Sequence, residues 1–321
     1  MEECEINFYT LFFIFISFFY WFTKFTNLIL PMVFLVLSSF FYAFNNLLWK
    51  RLLSKFDLWL IIGFRCLLTS CIGLAIIFLF YPTILSSLTY AVSVTILVAS
   101  IFGAFGLISM ILALKEGSLA QLGVFNLLIV FLVSSYLFFF ENIFLKNYAV
   151  ASICILVGFT LYIFQIKKID GVKKKNSYRN FILFMMMSFF FAVSSLMHWY
   201  NLKQEIPAIL SVTVQELVVF FVVLIIFNFK TSLSPHQIYP QIQKIVKPVV
   251  FMAIVIFIAI WTGFLGLQYT NPLISSLISL ITPVLTIVFG VFFFKNQWNS
   301  ITLLSLFLIS IGIYLINLEH Q

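Results

Sequence analysis

Charged residues are scarce in this chain: Asp, Glu, Lys and Arg make up 9% of its 321 residues, where a soluble domain carries roughly a quarter. Histidine is scarcer still, with only His198, His236 and His320. Of the four cysteines, Cys66, Cys71 and Cys154 fall inside apolar stretches, and only Cys4 does not. They read as small packing residues, not as a disulfide or metal framework. Paired carboxylates and ligand-spaced Cys/His clusters are missing, and so is a GxxxxGK[ST] loop. The sequence therefore predicts no enzyme, no metal, no cofactor and no ATP-driven pump.

Apolar residues fill the space that charge leaves. They are 63% of the chain, and the mean hydropathy is +1.16. A fold of this length cannot hide so much apolar surface from water, so lipid must surround most of it. The net charge is +8, but the basic residues sit in loops between apolar runs and form no basic face. The expected partner is accordingly the bilayer and not nucleic acid.

Spanning about 30 Å of hydrocarbon takes about 20 apolar residues. Runs of that kind lie at 28–49, 58–80, 91–114, 119–140, 148–164, 181–202, 208–229, 248–267, 273–294 and 301–317. The shorter run 7–22 follows Glu2, Glu3 and Glu5, which is no signal-peptide pattern. It reads as an extra membrane helix, an interfacial helix or an over-extended start, and all three readings stay open. The expected fold is all-α and polytopic. It has a hydrophobic extension (1–26), a first five-helix repeat (27–164), a basic linker (165–180), a second repeat (181–317) and a short tail (318–321).

Two observations support a duplication. FFFEN (138–142) and FFFKN (292–296) share four of five residues, and the same register sets Gly158 on Gly312. Five spans are an odd number, so the second repeat enters the membrane inverted, the plan of many secondary carriers. Loops after the odd-numbered spans hold 14 Lys and Arg, whereas the opposite side holds Lys24, Lys146 and Lys203. Positive-inside bias then places 165–180 in the cytoplasm. The expected location is the inner (plasma) membrane, and the sequence leaves monomer and homodimer open.

The chain resembles the drug/metabolite transporter superfamily, in its EamA-type members with two five-helix repeats. The segment GLQYTNPLISSLISLITPVLTIVFGVFFFKNQ (266–297) is similar to that family's eighth-to-ninth helix signature, and SIGIYLI (310–316) to its tenth helix. ALKEGSLA (113–120), FFFEN (138–142), LVGFTLYI (156–163) and the arginine-bearing GFRCLL (63–68) resemble pieces of the first repeat. The first half lacks a counterpart of Pro283, and Lys295-Asn296 stands where the family commonly has Gly-Glu. The resemblance implies a secondary transporter, an exporter by family habit, of small metabolites such as amino acids, nucleoside-like or amphipathic compounds. Its rivals on sequence are an intramembrane enzyme acting on lipid-linked substrates and a non-transporting scaffold.

Polar groups at membrane depth need partners or water, so they mark candidate sites. Arg65 reads as a side chain snorkelling to the boundary or as an anion contact or ion pair, with the first preferred. Glu216 reads as a structural hydrogen-bonding group or as a proton carrier, again with the first preferred. His198, beside Trp199 and Tyr200, reads as part of an aromatic belt in preference to a proton shuttle. The resemblance places a cavity among spans 1, 3, 4, 6, 8 and 9. Tyr42, Asn126, Trp261, Thr262 and Ser279 are its expected substrate contacts, with Arg65, His198 and Glu216 as candidates for coupling or ion pairing. Pro283 is expected to free a carbonyl and kink the ninth span.

Overall fold

The structure, a computed structural model, describes residues 30–53, 56–83, 89–116, 119–143, 148–169, 177–230, 235–294 and 300–319. The run 7–22, the middle of the basic linker and Lys295 lie outside them. All regular elements among the described residues are helices: α1 (Leu30–Leu53), α2 (Leu58–Phe80), α3 (Tyr90–Glu116), α4 (Leu119–Phe140), α5 (Ala149–Ile169), α6 (Ser177–Lys203), α7 (Ala208–Lys230), α8 (Pro235–Gln268), α9 (Pro272–Ser279), α10 (Ile281–Phe294) and α11 (Ser300–Glu319). Seven of them, α1–α4 and α6–α8, are long and apolar enough to cross a membrane. Three shorter apolar segments, Ala149–Phe164, Pro272–Thr286 and Leu303–Ile316, accompany them. The protein is thus an all-helical, polytopic membrane protein.

The helix ends follow from local chemistry. Asp57 caps α2, its Oδ1 accepting from the amides of Trp59 and Leu60 at 3.0 Å each. Asn271 caps α9 in the same way, with Pro272 in the first turn, where a missing N–H costs nothing. At the end of α4 the Asn of FFFEN takes a left-handed conformation, with φ 55°. The Glu141 and Ile143 amides then reach back to the Leu137 carbonyl at 3.0 and 3.1 Å, which satisfies one of the last carbonyls of the helix.

The expected ninth span is two helices. Pro283 has no N–H to give the Ser279 carbonyl, and the helix breaks at Leu280, between α9 and α10. Just past the break, the Tyr162 hydroxyl of α5 donates to the Pro283 carbonyl at 3.1 Å and ties α10 across the bundle.

Large apolar side chains such as Phe78, Leu79, Phe80, Phe131, Phe139, Phe229 and Phe307 stand exposed on the outside. Serines, asparagines and the charged pair described below are drawn inside, which is the distribution lipid imposes. The most extensive helix pairs are α3 with α6, α1 with α8, α2 with α7 and α5 with α11. At the last pair the two register-matched glycines face opposite helices: a Cβ on Gly312 would lie 2.7 Å from the Ala151 carbonyl oxygen, and one on Gly158 would lie 2.9 Å from that of Ser305. Only glycine permits backbones this close.

Candidate functional site

A cavity of about 280 Å³ lies inside the bundle, near the lower end of volumes that hold small ligands. The elements that build it are α1–α4, α6–α8 and the broken α9–α10 pair. Helical spacing explains how. Leu35, Ser38, Ser39, Tyr42, Asn45 and Asn46 recur at three and four residues and form one face of α1. Phe191, Ser194, Ser195 and His198 do the same on α6. Asn126 comes from α4, Gln215 and Glu216 from α7, and Ser276, Ser279 and Thr282 from the segment around the break.

Arg65 on α2 and Glu216 on α7 meet at this cavity. The Arg65 Nη2 stands 3.0 Å from Glu216 Oε2, with both side chains 1% exposed. The same nitrogen donates to Glu216 Oε1 at 3.3 Å and to Cys66 Sγ at 2.8 Å. Tyr42 is near enough to interact electrostatically with both charges, and the guanidinium lies 5.9 Å from the Trp49 ring. Arg65 is therefore an internal ion-pair partner, and the snorkelling preference is replaced: burial between α2 and α7 makes a carboxylate a far better partner than a distant boundary.

The pair is incompletely satisfied. Among the described residues, neither Arg65 Nε nor Glu216 Oε2 has a hydrogen-bond partner; the 3.0 Å contact to Oε2 is close but poorly aligned. Asn45 Oδ1, Gln215 Oε1 and both ring nitrogens of His198 are in the same position. All five residues line the cavity. Buried polar atoms are seldom left without partners, so a concentration of them around one void marks a place for water or ligand.

His198 does not belong to an aromatic belt. It and Trp199 are buried, the His198 ring packs 4.6 Å from that of Phe264, and the Trp199 Nε1 donates to the Thr270 carbonyl at 3.1 Å. Tyr200 packs beside Trp199, ring centroids 5.2 Å apart, and its hydroxyl donates to Glu141 at the end of α4 and lies 3.3 Å from that of Tyr136. Lys203 completes this cluster, 3.7 Å from Glu141 and 3.6 Å above the Trp199 ring. The clasp ties the ends of α4 and α6 to the α8–α9 turn.

Tyr42, Asn126, Ser279, Arg65, His198 and Glu216 thus line one cavity. Trp261 and Thr262 are not among its lining residues. Trp261 packs against Phe257, with ring centroids 5.6 Å apart, and the Thr262 hydroxyl is taken up by the Ile258 carbonyl of its own helix at 2.7 Å. Gly263 and Phe264, one step along α8, line the cavity in their place. Asn45, Asn46, Ser194, Ser195 and Gln215 also line the cavity; they are absent from the expected set, although three- and four-residue spacing in apolar helices was a readable signal.

Residues 179–318, the second half of the chain, match the EamA-like transporter family, in agreement with the resemblance to the drug/metabolite transporter superfamily. A solved structure titled "Crystal structure of protein" is similar in fold, with a TM-score of 0.72 at 16% identity, over 90% of this chain and 96% of that one. No curated protein matches the chain.

Proposed function

We propose that this protein is a secondary transporter of small polar or amphipathic metabolites, working by alternating access between two inverted five-helix halves in the plasma membrane. The observation that carries the reading is the cavity: a void lined by unpartnered polar groups inside a bundle whose outer surface is apolar. A scaffold has no use for such a void, because each unsatisfied buried group costs about 1–3 kcal/mol.

The inverted arrangement is supported by an exchange of contacts. With α1–α5 and α6–α11 as the halves, the third helix of each packs on the first helix of the other, the second helices pair, and the last helices pair. Individual residues follow the same rule. The Ser38 hydroxyl of α1 donates to the Ala259 carbonyl of α8 at 2.7 Å, and that of Ser194 on α6 donates to Ala99 on α3 at 2.9 Å. Gly263 and Gly266 face Ser38 and Leu35, while Gly103 and Gly106 face Ser194 and Phe191.

Export is the direction the family resemblance favours, and a cytoplasmic 165–180 follows from the distribution of basic residues. Thermal-shift screening of purified protein against a metabolite library supplies candidate substrates, and flux in proteoliposomes tests them. Saturable uptake of a stabilising compound is the expected result. Compounds that stabilise the protein yet never cross the membrane with it would overturn the reading.

A further inference from the structure

We infer that the protein rests with its cavity shut at the end where α4 and α6 finish, held there by the cluster around Glu141, and accessible from the opposite end, which carries 165–180. The clasp is one-sided: the repeat does not reproduce it at that opposite end. The inference rests on the carrier reading and deepens it.

The clasp crosses between the halves. Glu141 follows the last residue of α4, in the first half, while Tyr200 and Lys203 stand in the last turn of α6, in the second. The Tyr200 hydroxyl donates to Glu141 and lies 3.3 Å from that of Tyr136, also on α4. Lys203 Nζ is 3.7 Å from Glu141 Oε2. An exposed ion pair of this kind holds little by itself, but a hydroxyl donating to a carboxylate makes a stronger, charge-assisted bond. Trp199 carries the cluster on to the α8–α9 turn, with the Lys203 ammonium 3.6 Å above its ring and its Nε1 donating to the Thr270 carbonyl. Directly beneath, the cavity is lined by Leu35, His198 and Leu267, each within five residues of the clasp-side end of its helix. The halves cannot part here without breaking these bonds together.

The mirror positions lack this chemistry. Asn27, Ile29, Leu30 and Met32 match Asn180, Ile182, Leu183 and Met185 in one register. That register sets Asn46, Leu47 and Lys50 where α6 has Trp199, Tyr200 and Lys203. The match of FFFEN with FFFKN sets Lys295 in the place of Glu141. By sequence, then, acid facing base becomes base facing base, and the donating phenol becomes a leucine. Leu47 is buried against Ala43 and Phe289, an apolar contact between α1 and α10. Lipid tails are as apolar as leucine, so such a contact is exchanged for lipid at little cost. Specific bonds at one end and exchangeable ones at the other weight the equilibrium between the two open states toward the one that keeps the clasp.

The test reads which end admits a reagent. A Ser279→Cys reporter in the cavity is placed in the full-length protein, reconstituted in vesicles of either orientation and treated with a membrane-impermeant thiol reagent. Labelling of the same protein without Ser279→Cys is subtracted. The reporter should react at least tenfold faster from the 165–180 end than from the clasp end. Glu141→Lys, which gives the clasp end the two lysines of its mirror, should bring the two rates within threefold of each other. The charge-swapped Glu141→Lys/Lys203→Glu should restore most of the difference, a recovery that a merely structural role would not produce. Equal rates in the parent, faster reaction from the clasp end, or a ratio unmoved by Glu141→Lys overturns the inference. If Glu141→Lys fails to fold, Glu141→Gln decides in its place, with an expected fall in the ratio of at least threefold. Proteoliposome flux separates the two claims. One-sided labelling without saturable flux refutes the carrier and leaves the resting state standing; equal rates alongside saturable flux do the reverse.

Discussion

Replacing Glu216 with Leu should destabilise the protein more than replacing both members of the ion pair. The direct attraction across 3.0 Å is about 5–6 kcal/mol at an effective dielectric constant near 20. Most of that only offsets the desolvation of the two groups, so the pair contributes little net stability. Glu216→Leu removes the attraction and keeps the desolvated guanidinium, which cannot lose its proton. The expected cost is about 3–5 kcal/mol, toward the lower end because water in the adjoining cavity can solvate Arg65. Arg65→Met should also lower stability, since it leaves Glu216 buried without its partner. The double variant Arg65→Met/Glu216→Leu should fall within about 1–2 kcal/mol of the parent. Denaturant titration of the four proteins in one detergent gives the coupling energy of the cycle. Additive single effects, or a double variant no more stable than Glu216→Leu, would refute the reasoning.

Three further outcomes are expected. Gly312→Ala should lower stability by about 1–3 kcal/mol, because the new methyl would sit 2.5 Å from Ile155 Cγ1 and 2.7 Å from the Ala151 carbonyl oxygen; a melting point equal to the parent's would show that α5 and α11 yield freely. Tyr200→Phe removes the hydroxyl that joins α6 to Glu141, so a cysteine at Ser279 should react faster with a membrane-impermeant thiol reagent added from the side of that clasp. An unchanged rate would mean the clasp does not restrict entry. In intact cells a cysteine at Ser86 should label from outside and one at Ser177 should not; the opposite pattern would invert the assigned orientation.

Helix positions were legible because lipid demands long apolar runs, and α1–α4 and α6–α8 lie on expected spans. The break at Leu280 was legible in Pro283, whose missing N–H acts on its own helix. Pairing was not legible. Arg65 and Glu216 are separated by 151 residues, and neither local pattern says that α2 and α7 pack together, so a snorkelling arginine and a structural hydrogen-bonding carboxylate were the preferred readings. Trp261 and Thr262 failed for a finer reason. They sit one or two positions from Gly263 and Phe264, which line the cavity, and a helix turns by about 100° per residue. Polarity identified the right stretch of α8 but could not set its rotation.

The paired glycines of α3 and α8 have a mechanical consequence. Gly103 and Gly106 receive Ser194 and Phe191 of α6, and Gly263 and Gly266 receive Ser38 and Leu35 of α1. Interlocking side-chain ridges normally hold packed helices in one register. A helix face with hydrogens in place of side chains presents shallow relief, so its partner meets few steps when it rolls or slides. The molecule contains two such smooth bearings, each with its track on one half and its runner on the other. Under the proposed rocking motion the halves would turn on both together, and a bulky side chain in either track would jam the pair.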